Sequence, residues 1–286
     1  MKNSFVNFYN LVKFPHTVFA LPFSFKGFAL GIIKYGGDFT IVLFFQILGA
    51  MVFARNAAMG FNRYIDRYID ASNPRTKGRE IPSGLIAPER ALWFTIINIA
   101  LFILVSFSIN ELCFYLSFPA LAVLLGYSYT KRFTWLCHYV LGLGLAMAPA
   151  GAFIAVTGTL TPAIVTLLLA VLFWVSGFDI IYSLPDADYD TENNLNSVPQ
   201  RFGIKRALTI SSAGHLIVAP LIILTGVFSG AGSLYYIGSV LFLILLVYQH
   251  VIVKANDLSR VNAAFFTANG FASIIYAIFS ISDMFV

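Results

Sequence analysis

The chain has 286 residues, of which 59% are hydrophobic and only 11% charged, and its mean hydropathy is +0.82. A soluble domain carries about a quarter charged residues, so these numbers exclude an ordinary soluble protein and point to a chain that folds within a bilayer. The formal net charge of +5 is explained by lysines and arginines that set membrane topology, and no nucleic-acid partner is expected.

Nine apolar runs have about the length that crosses a bilayer core as a helix. They fall at 17–34, 39–61, 91–109, 111–129, 138–157, 162–184, 207–228, 232–253 and 262–282. The expected architecture is therefore all-α and polytopic, with nine transmembrane helices forming a single domain over 1–286. No signal peptide is expected, because eight more runs follow the first and no small-residue cleavage site is present. Cys113 lies at the start of the fourth run and Cys137 just before the fifth, and neither a disulfide nor a metal pattern is expected of them.

The positive charges divide by link. Arg63, Arg67, Arg75, Lys77, Arg79 and Arg90 follow run two; Lys131 and Arg132 follow run four; Arg201, Lys205 and Arg206 follow run six; Lys254 and Arg260 follow run eight. Odd-numbered links carry almost none, with Lys34 the exception. The positive-inside rule then places the N-terminus and the even-numbered links in the cytoplasm. The site expected on these links faces the same way.

The stretch Arg55–Asp70 reads RNAAMGFNRYIDRYID. At helical spacing Arg55, Asn62, Asp66 and Asp70 share one quadrant of a helix. Two carboxylates and an amide form a hard oxygen array suited to Mg²⁺, which takes one or two carboxylates and completes its shell with water and substrate phosphates. An ion-paired helix surface is the alternative for the aspartates and arginines alone. Arg55 lies inside the apolar run, where an arginine usually faces a cavity, a partner or a substrate.

A second array follows run six, at Asp179, Asp186 and Asp190, with a kink expected at Pro185. Asp179 is intramembrane, Tyr182 lies on an adjacent face, and Asp188 falls off it. The two arrays are expected to face each other across one polar cavity. Four carboxylates there need cations, which Mg²⁺ and the neighbouring arginines would supply. Lys131 and Arg132 either grip phosphate oxygens or are plain topology signals, and Arg75, Lys77 and Arg79 divide in the same way. His16, His138, His215 and His250 show no metal-ligand spacing and are expected to be structural.

Several motifs resemble those of the UbiA superfamily of intramembrane prenyltransferases. They are Lys13-Phe14-Pro15-His16-Thr17 with Leu21-Pro22; Asn62-x3-Asp66-x3-Asp70 followed by Asn73-Pro74-Arg75-Thr76 and Arg79-Glu80-Ile81-Pro82-Ser83-Gly84; Tyr127-Ser128-Tyr129-Thr130-Lys131-Arg132; and Asp179 through Tyr182 and Asp186 to Asp190. Arg63 departs from the pattern, since many members carry Asp beside the Asn. Within the superfamily the chain looks most similar to 4-hydroxybenzoate polyprenyltransferases and the related menaquinone-pathway enzymes.

The resemblance implies a central cavity, two Mg²⁺ ions, and a lipid tail leaving sideways in a bacterial cytoplasmic membrane. It implies that a polyprenyl diphosphate ionises and that an aromatic acid attacks the allyl cation. The acid would be 4-hydroxybenzoate, or a dihydroxynaphthoate in menaquinone synthesis. Asp66, Asp70, Asp186 and Asp190 would hold metal. Lys131, Arg132, Arg67 and Arg75 would hold diphosphate. Arg55, Asn62, Asp179 and Tyr182 would border the acceptor, the first three taking part in catalysis. Competing classes are a phospholipid-headgroup transferase, which predicts no second array, and a secondary transporter using Arg55 and Asp179.

Overall fold

The structure is a computed structural model that describes residues 2–12 and 21–286. The entry segment Lys13–Thr17, His16 included, lies outside the described residues. Among those described, eight helices are long and apolar enough to cross a membrane. The described part of the first expected run is Leu21–Ile33, a shorter apolar helix of 13 residues. At 1.5 Å per residue that helix spans about 20 Å, less than a bilayer core of about 30 Å.

The chain divides into two compact units, 1–17 with 40–129, and 18–39 with 130–286. The first holds α1 (Lys2–Leu11), α3 (Ile41–Ile65), α4 (Arg67–Ser72), α5 (Pro88–Ile109) and α6 (Glu111–Thr130). Polar side chains join α3 to α5 in antiparallel register. Gln46 Nε2 donates to Ser108 O at 3.1 Å and Oγ at 3.0 Å, and Asn56 Nδ2 donates to Asn98 Oδ1 at 3.1 Å. Such bonds suit helices in lipid, where apolar contact alone gives no preference for helix over solvent. At Gly60 the helices approach so closely that a Cβ would sit 2.6 Å from Thr95 Oγ1. Asn110, the single residue between α5 and α6, accepts from Cys113 N at 2.7 Å and so starts α6.

The second unit holds α2 (Leu21–Ile33), α7 (Cys137–Thr157), α8 (Pro162–Ser183), α9 (Ala187–Glu192), α10 (Val198–Phe202), α11 (Ile204–Ser229), α12 (Ser233–Ile252) and α13 (Asn269–Ser282). Its core is aromatic: Phe23, Trp174, Phe178, Phe242 and Tyr276 are almost fully buried. Helix α8 is the hub. Gly142 of α7 lets it approach closely enough that a Cβ would lie 2.5 Å from Leu172 O. A Cβ at Gly177 would strike the ring of His215 on α11.

A π-helical turn, Ala263–Ala268, precedes α13. Its free carbonyls are taken by Asn269, whose Nδ2 donates to Ala264 O and Phe265 O at 3.0 Å each. Asn269 Oδ1 in turn accepts from Trp174 Nε1 at 2.8 Å and Gln249 Nε2 at 2.7 Å.

Candidate active site

Helix α3 carries the first array, but not as one unbroken helix. It ends at Ile65, Asp66 sits at φ −89°, ψ 5°, and α4 begins at Arg67. The spacing survives the break, because Asp66 N donates to Asn62 O at 2.9 Å and Asp70 N to Asp66 O at 2.7 Å. Arg67 stabilises it. Its guanidinium lies 4.4 Å from the ring centres of both Tyr64 and Tyr68, and Nη1 donates to Tyr64 O at 2.6 Å, satisfying a carbonyl at the end of α3.

Asn62 Nδ2 donates to Asp66 Oδ2 at 2.9 Å. Asp70 is buried, and Arg79 holds its Oδ1 at 2.7 Å. Its Oδ2 is buried with no hydrogen-bond partner among the described residues, as are Glu80 Oε2 and Arg63 Nε. Arg63, buried at 5% exposure, reaches Asn62 Oδ1 at 3.4 Å. Arg55, half-buried, donates from Nη2 to Val12 O at 3.3 Å. Arg75 is exposed on the loop that follows.

The second array lies where α8 ends. Pro185 falls within a 3₁₀ turn, Leu184–Asp186, before α9, which is the interruption its position predicts. Asp186 is buried and Asp190 is 0% exposed, while Asp188 is exposed. Lys131 Nζ lies 3.1 Å from Asp190 Oδ1, and Ser197 Oγ donates to Asp190 Oδ2 at 2.8 Å. Burial alone would lower the Lys131 ammonium, but Asp190 and Asp186 outweigh it and hold the group above its ordinary value. Arg132, next in sequence, is exposed. The ring of Tyr182 stacks on Phe265 at 4.0 Å between centroids.

Asp179 has a partner that sequence spacing did not reveal. His138 Nδ1 lies 2.7 Å from Asp179 Oδ2. Ser197 and Glu80 carry no sequence signal of their own, and the pairing of Arg79 with Asp70 is not one that spacing shows. Arg79 sits nine residues from Asp70, a spacing with no helical meaning, and the others depend on tertiary folding.

Hard oxygen donors dominate both arrays, and Asp70 Oδ2 is a buried carboxylate oxygen with nothing to accept from. Among the described residues no group of three or more His, Cys, Asp or Glu is gathered closely enough to hold a metal alone. Two carboxylates per array fit Mg²⁺ bound in its usual open manner, its shell completed by water and phosphate oxygens, and not a closed protein cage.

Apolar helices that end in buried, cation-paired carboxylates define a multi-pass membrane protein that handles a polar group at its helix ends. The model of the UbiA prenyltransferase family matches residues 21–272. The chain is 30% identical over 242 residues, 84% of each chain, to a 4-hydroxybenzoate octaprenyltransferase of Aliivibrio fischeri. It is 32% identical over 233 residues, 80% of each chain, to one of Vibrio cholerae. Among solved structures, the apo form of a UbiA homologue from Aeropyrum pernix superposes with a TM-score of 0.84 at 30% identity, covering 94% of this chain and 98% of that one. A UbiA homologue from Archaeoglobus fulgidus bound to GPP and Mg²⁺ shares the fold, with a TM-score of 0.77 at 19% identity, covering 98% and 100%. The chain belongs to the UbiA prenyltransferase family and is a prenyl-transferring enzyme, which sets aside the transporter and headgroup-transferase alternatives.

Proposed function

We propose that residues 1–286 work as one prenyltransferase domain that moves a polyprenyl group from its diphosphate to 4-hydroxybenzoate, in respiratory quinone synthesis. The identity of 30–32% to 4-hydroxybenzoate octaprenyltransferases, across at least four-fifths of the chain, is the observation that carries the choice of acceptor. Mg²⁺, held by Asp66 and Asp70 on one array and by Asp186 and Asp190 on the other, would neutralise the diphosphate as it departs.

The residues divide the remaining work. Lys131 supplies a fixed ammonium beside Asp190, and Arg132 an exposed guanidinium able to fork onto phosphate oxygens. Arg67 and Arg75 contribute at the margin. Arg55 pairs with the carboxylate of the acceptor, Asn62 orients it, and Tyr182 packs against it. Asp179 accepts the proton that the ring loses. The apolar helix faces keep water from the allyl cation.

The protein is multi-pass, and we place its N-terminus and the polar links after α3, α6 and α8 on the cytoplasmic face of the bacterial inner membrane. A cysteine introduced in the 193–206 link should be labelled only from the cytoplasm, and one near Gly230 only from outside. Reversed labelling rejects this orientation. For the activity, purified protein is offered one long prenyl diphosphate and several hydroxylated aromatic acids, with products read by mass spectrometry. Prenylated 4-hydroxybenzoate, dependent on Mg²⁺, is expected. A prenylated dihydroxynaphthoate alone would move the enzyme to menaquinone synthesis.

A further inference from the structure

His138 is 2% exposed at its side chain, while Asp179 retains 17%. The imidazole therefore lies behind the carboxylate, on its buried side. Its two nitrogens have different neighbours. Nε2 lies 3.3 Å from the backbone N–H of Val198. An amide nitrogen can only donate, so Nε2 must carry the lone pair. The ring proton then sits on Nδ1 and is donated to Asp179 Oδ2 at 2.7 Å. In this arrangement Nδ1 is the donor and Asp179 Oδ2 the acceptor.

Asp179 has no other hydrogen-bond partner among the described residues, and it keeps some exposure. Oδ2 is thus fixed and Oδ1 remains available. The same three-residue segment that sets the tautomer also touches the second array. Asn196 N donates to Lys131 O at 2.6 Å, Ser197 Oγ to Asp190 Oδ2 at 2.8 Å, and Val198 N to His138. Asp190 and the imidazole are therefore joined through adjacent residues, Ser197 and Val198.

We propose that His138 is a positioning residue for the transfer step. It holds Asp179 turned so that Oδ1 meets the ring proton, while Asn196–Val198 ties that posture to the array read as binding diphosphate. This rests on the reading of Asp179 as proton acceptor. In the step, a ring carbon forms a bond to the allylic carbon, whose C–O pair has left with the diphosphate. The C–H bond at that ring carbon then breaks. Its electron pair restores the aromatic ring, and its proton passes to Asp179 Oδ1. His138 keeps its own proton throughout.

The test uses the purified full chain with prenyl diphosphate and 4-hydroxybenzoate, protiated or ring-deuterated. For His138→Leu, kcat should fall about 10- to 100-fold, the range expected for losing a hydrogen bond to a charged group. KM for prenyl diphosphate should stay within about twofold, and the deuterium isotope effect on kcat should exceed that of the wild type. His138→Asn places an amide donor near the Nδ1 position and should restore most of kcat. His138→Gln places it near Nε2 and should not. Wild-type kcat and isotope effect in His138→Leu, or equal rates in the Asn and Gln variants, overturn the proposal. If His138→Leu fails to fold, the Asn and Gln pair decides. Asp179→Asn separates the two levels. Full activity there rejects the reading of Asp179 itself, whereas an inactive Asp179→Asn beside an unimpaired His138→Leu rejects only the role of the histidine.

Discussion

The two compact units solve the same problem with different materials. In the first, only 11%, 22% and 17% of the most apolar stretches of α3, α5 and α6 are buried, and amide and hydroxyl pairs join the helices. In the second the corresponding shares run from 33% for α11 and α12 to 67% for the Pro162–Glu192 segment, around a core of rings. The acidic arrays inherit this contrast. Asp66 is half-buried at a helix break, whereas Asp190 is sealed and has both oxygens engaged. Asp190 is thus held in place by Lys131 and Ser197, as Asp70 is by Arg79.

Substituting the two arrays should separate activity from stability. Asp190→Ala removes a proposed metal ligand and also strips Lys131 and Ser197 of their acceptor. It should lower kcat/KM by about a thousandfold or more and destabilise the protein by about 1–3 kcal/mol, measured by thermal unfolding in detergent. Asp66→Ala should cost about a hundredfold or more in activity and leave the melting temperature almost unchanged. Equal thermal losses would show that the first array is as rigidly built as the second.

The next effect concerns Arg55, which keeps a guanidinium inside α3 and donates from Nη2 to Val12 O at 3.3 Å. Arg55→Ala should raise KM for the aromatic acid well over tenfold, since losing one partner of a desolvated charge pair costs about 2–5 kcal/mol. KM for prenyl diphosphate should change little. An unchanged acceptor KM with a weakened Mg²⁺ response would instead make Arg55 a neutraliser of the aspartates.

Much of this was legible in the chain. The span ends at Asn110, Pro162, Gly230 and Pro185 agree with the structure to within a few residues, because a polar residue, glycine or proline interrupts an apolar run at each. What stayed hidden is pairing at a distance. Lys131 and Asp190 lie 59 residues apart, His138 and Asp179 lie 41 apart, and Trp174 and Asn269 lie 95 apart. No periodicity links such residues. The break at Asp66 was hidden too, since i, i+4 spacing looks the same whether or not the helix continues. Nor does hydropathy separate the units, because lipid-facing and core residues are equally apolar.

The core of the second unit offers a purely structural probe. Asn269→Leu leaves the Trp174 indole N–H and the Gln249 amide without their acceptor, and the carbonyls of the π-helical turn without their donor. A loss of about 2–3 kcal/mol is expected from orphaned buried donors. Gly177→Ala drives a methyl into the ring of His215 and should cost about 1–3 kcal/mol. In both variants KM for each substrate should persist in the folded fraction. A change in acceptor KM with Asn269→Leu would mean that the turn also sets the Tyr182–Phe265 stack for substrate.

The smallest effect is expected at Arg67, and it tests the contrast from the other side. Lys131 already sits in the field of Asp190 and Asp186, which raises its titration above the ordinary lysine value of 10.5. Its contribution is fully present below that pH and is lost only as pH rises through the raised value, so no alkaline decline near neutrality should come from it. Arg67 is held elsewhere, between two tyrosine rings and on Tyr64 O. To grip a phosphate it must leave contacts worth about 0.5–1 kcal/mol per ring and a hydrogen bond worth about 1 kcal/mol. These largely offset what a phosphate contact would give. Arg67→Ala should therefore raise KM for prenyl diphosphate by less than about threefold, and Lys131→Ala by more than about tenfold. A tenfold rise with Arg67→Ala would show that the arginine leaves its tyrosines when diphosphate binds. The helix break at Asp66 would then be a hinge that substrate closes.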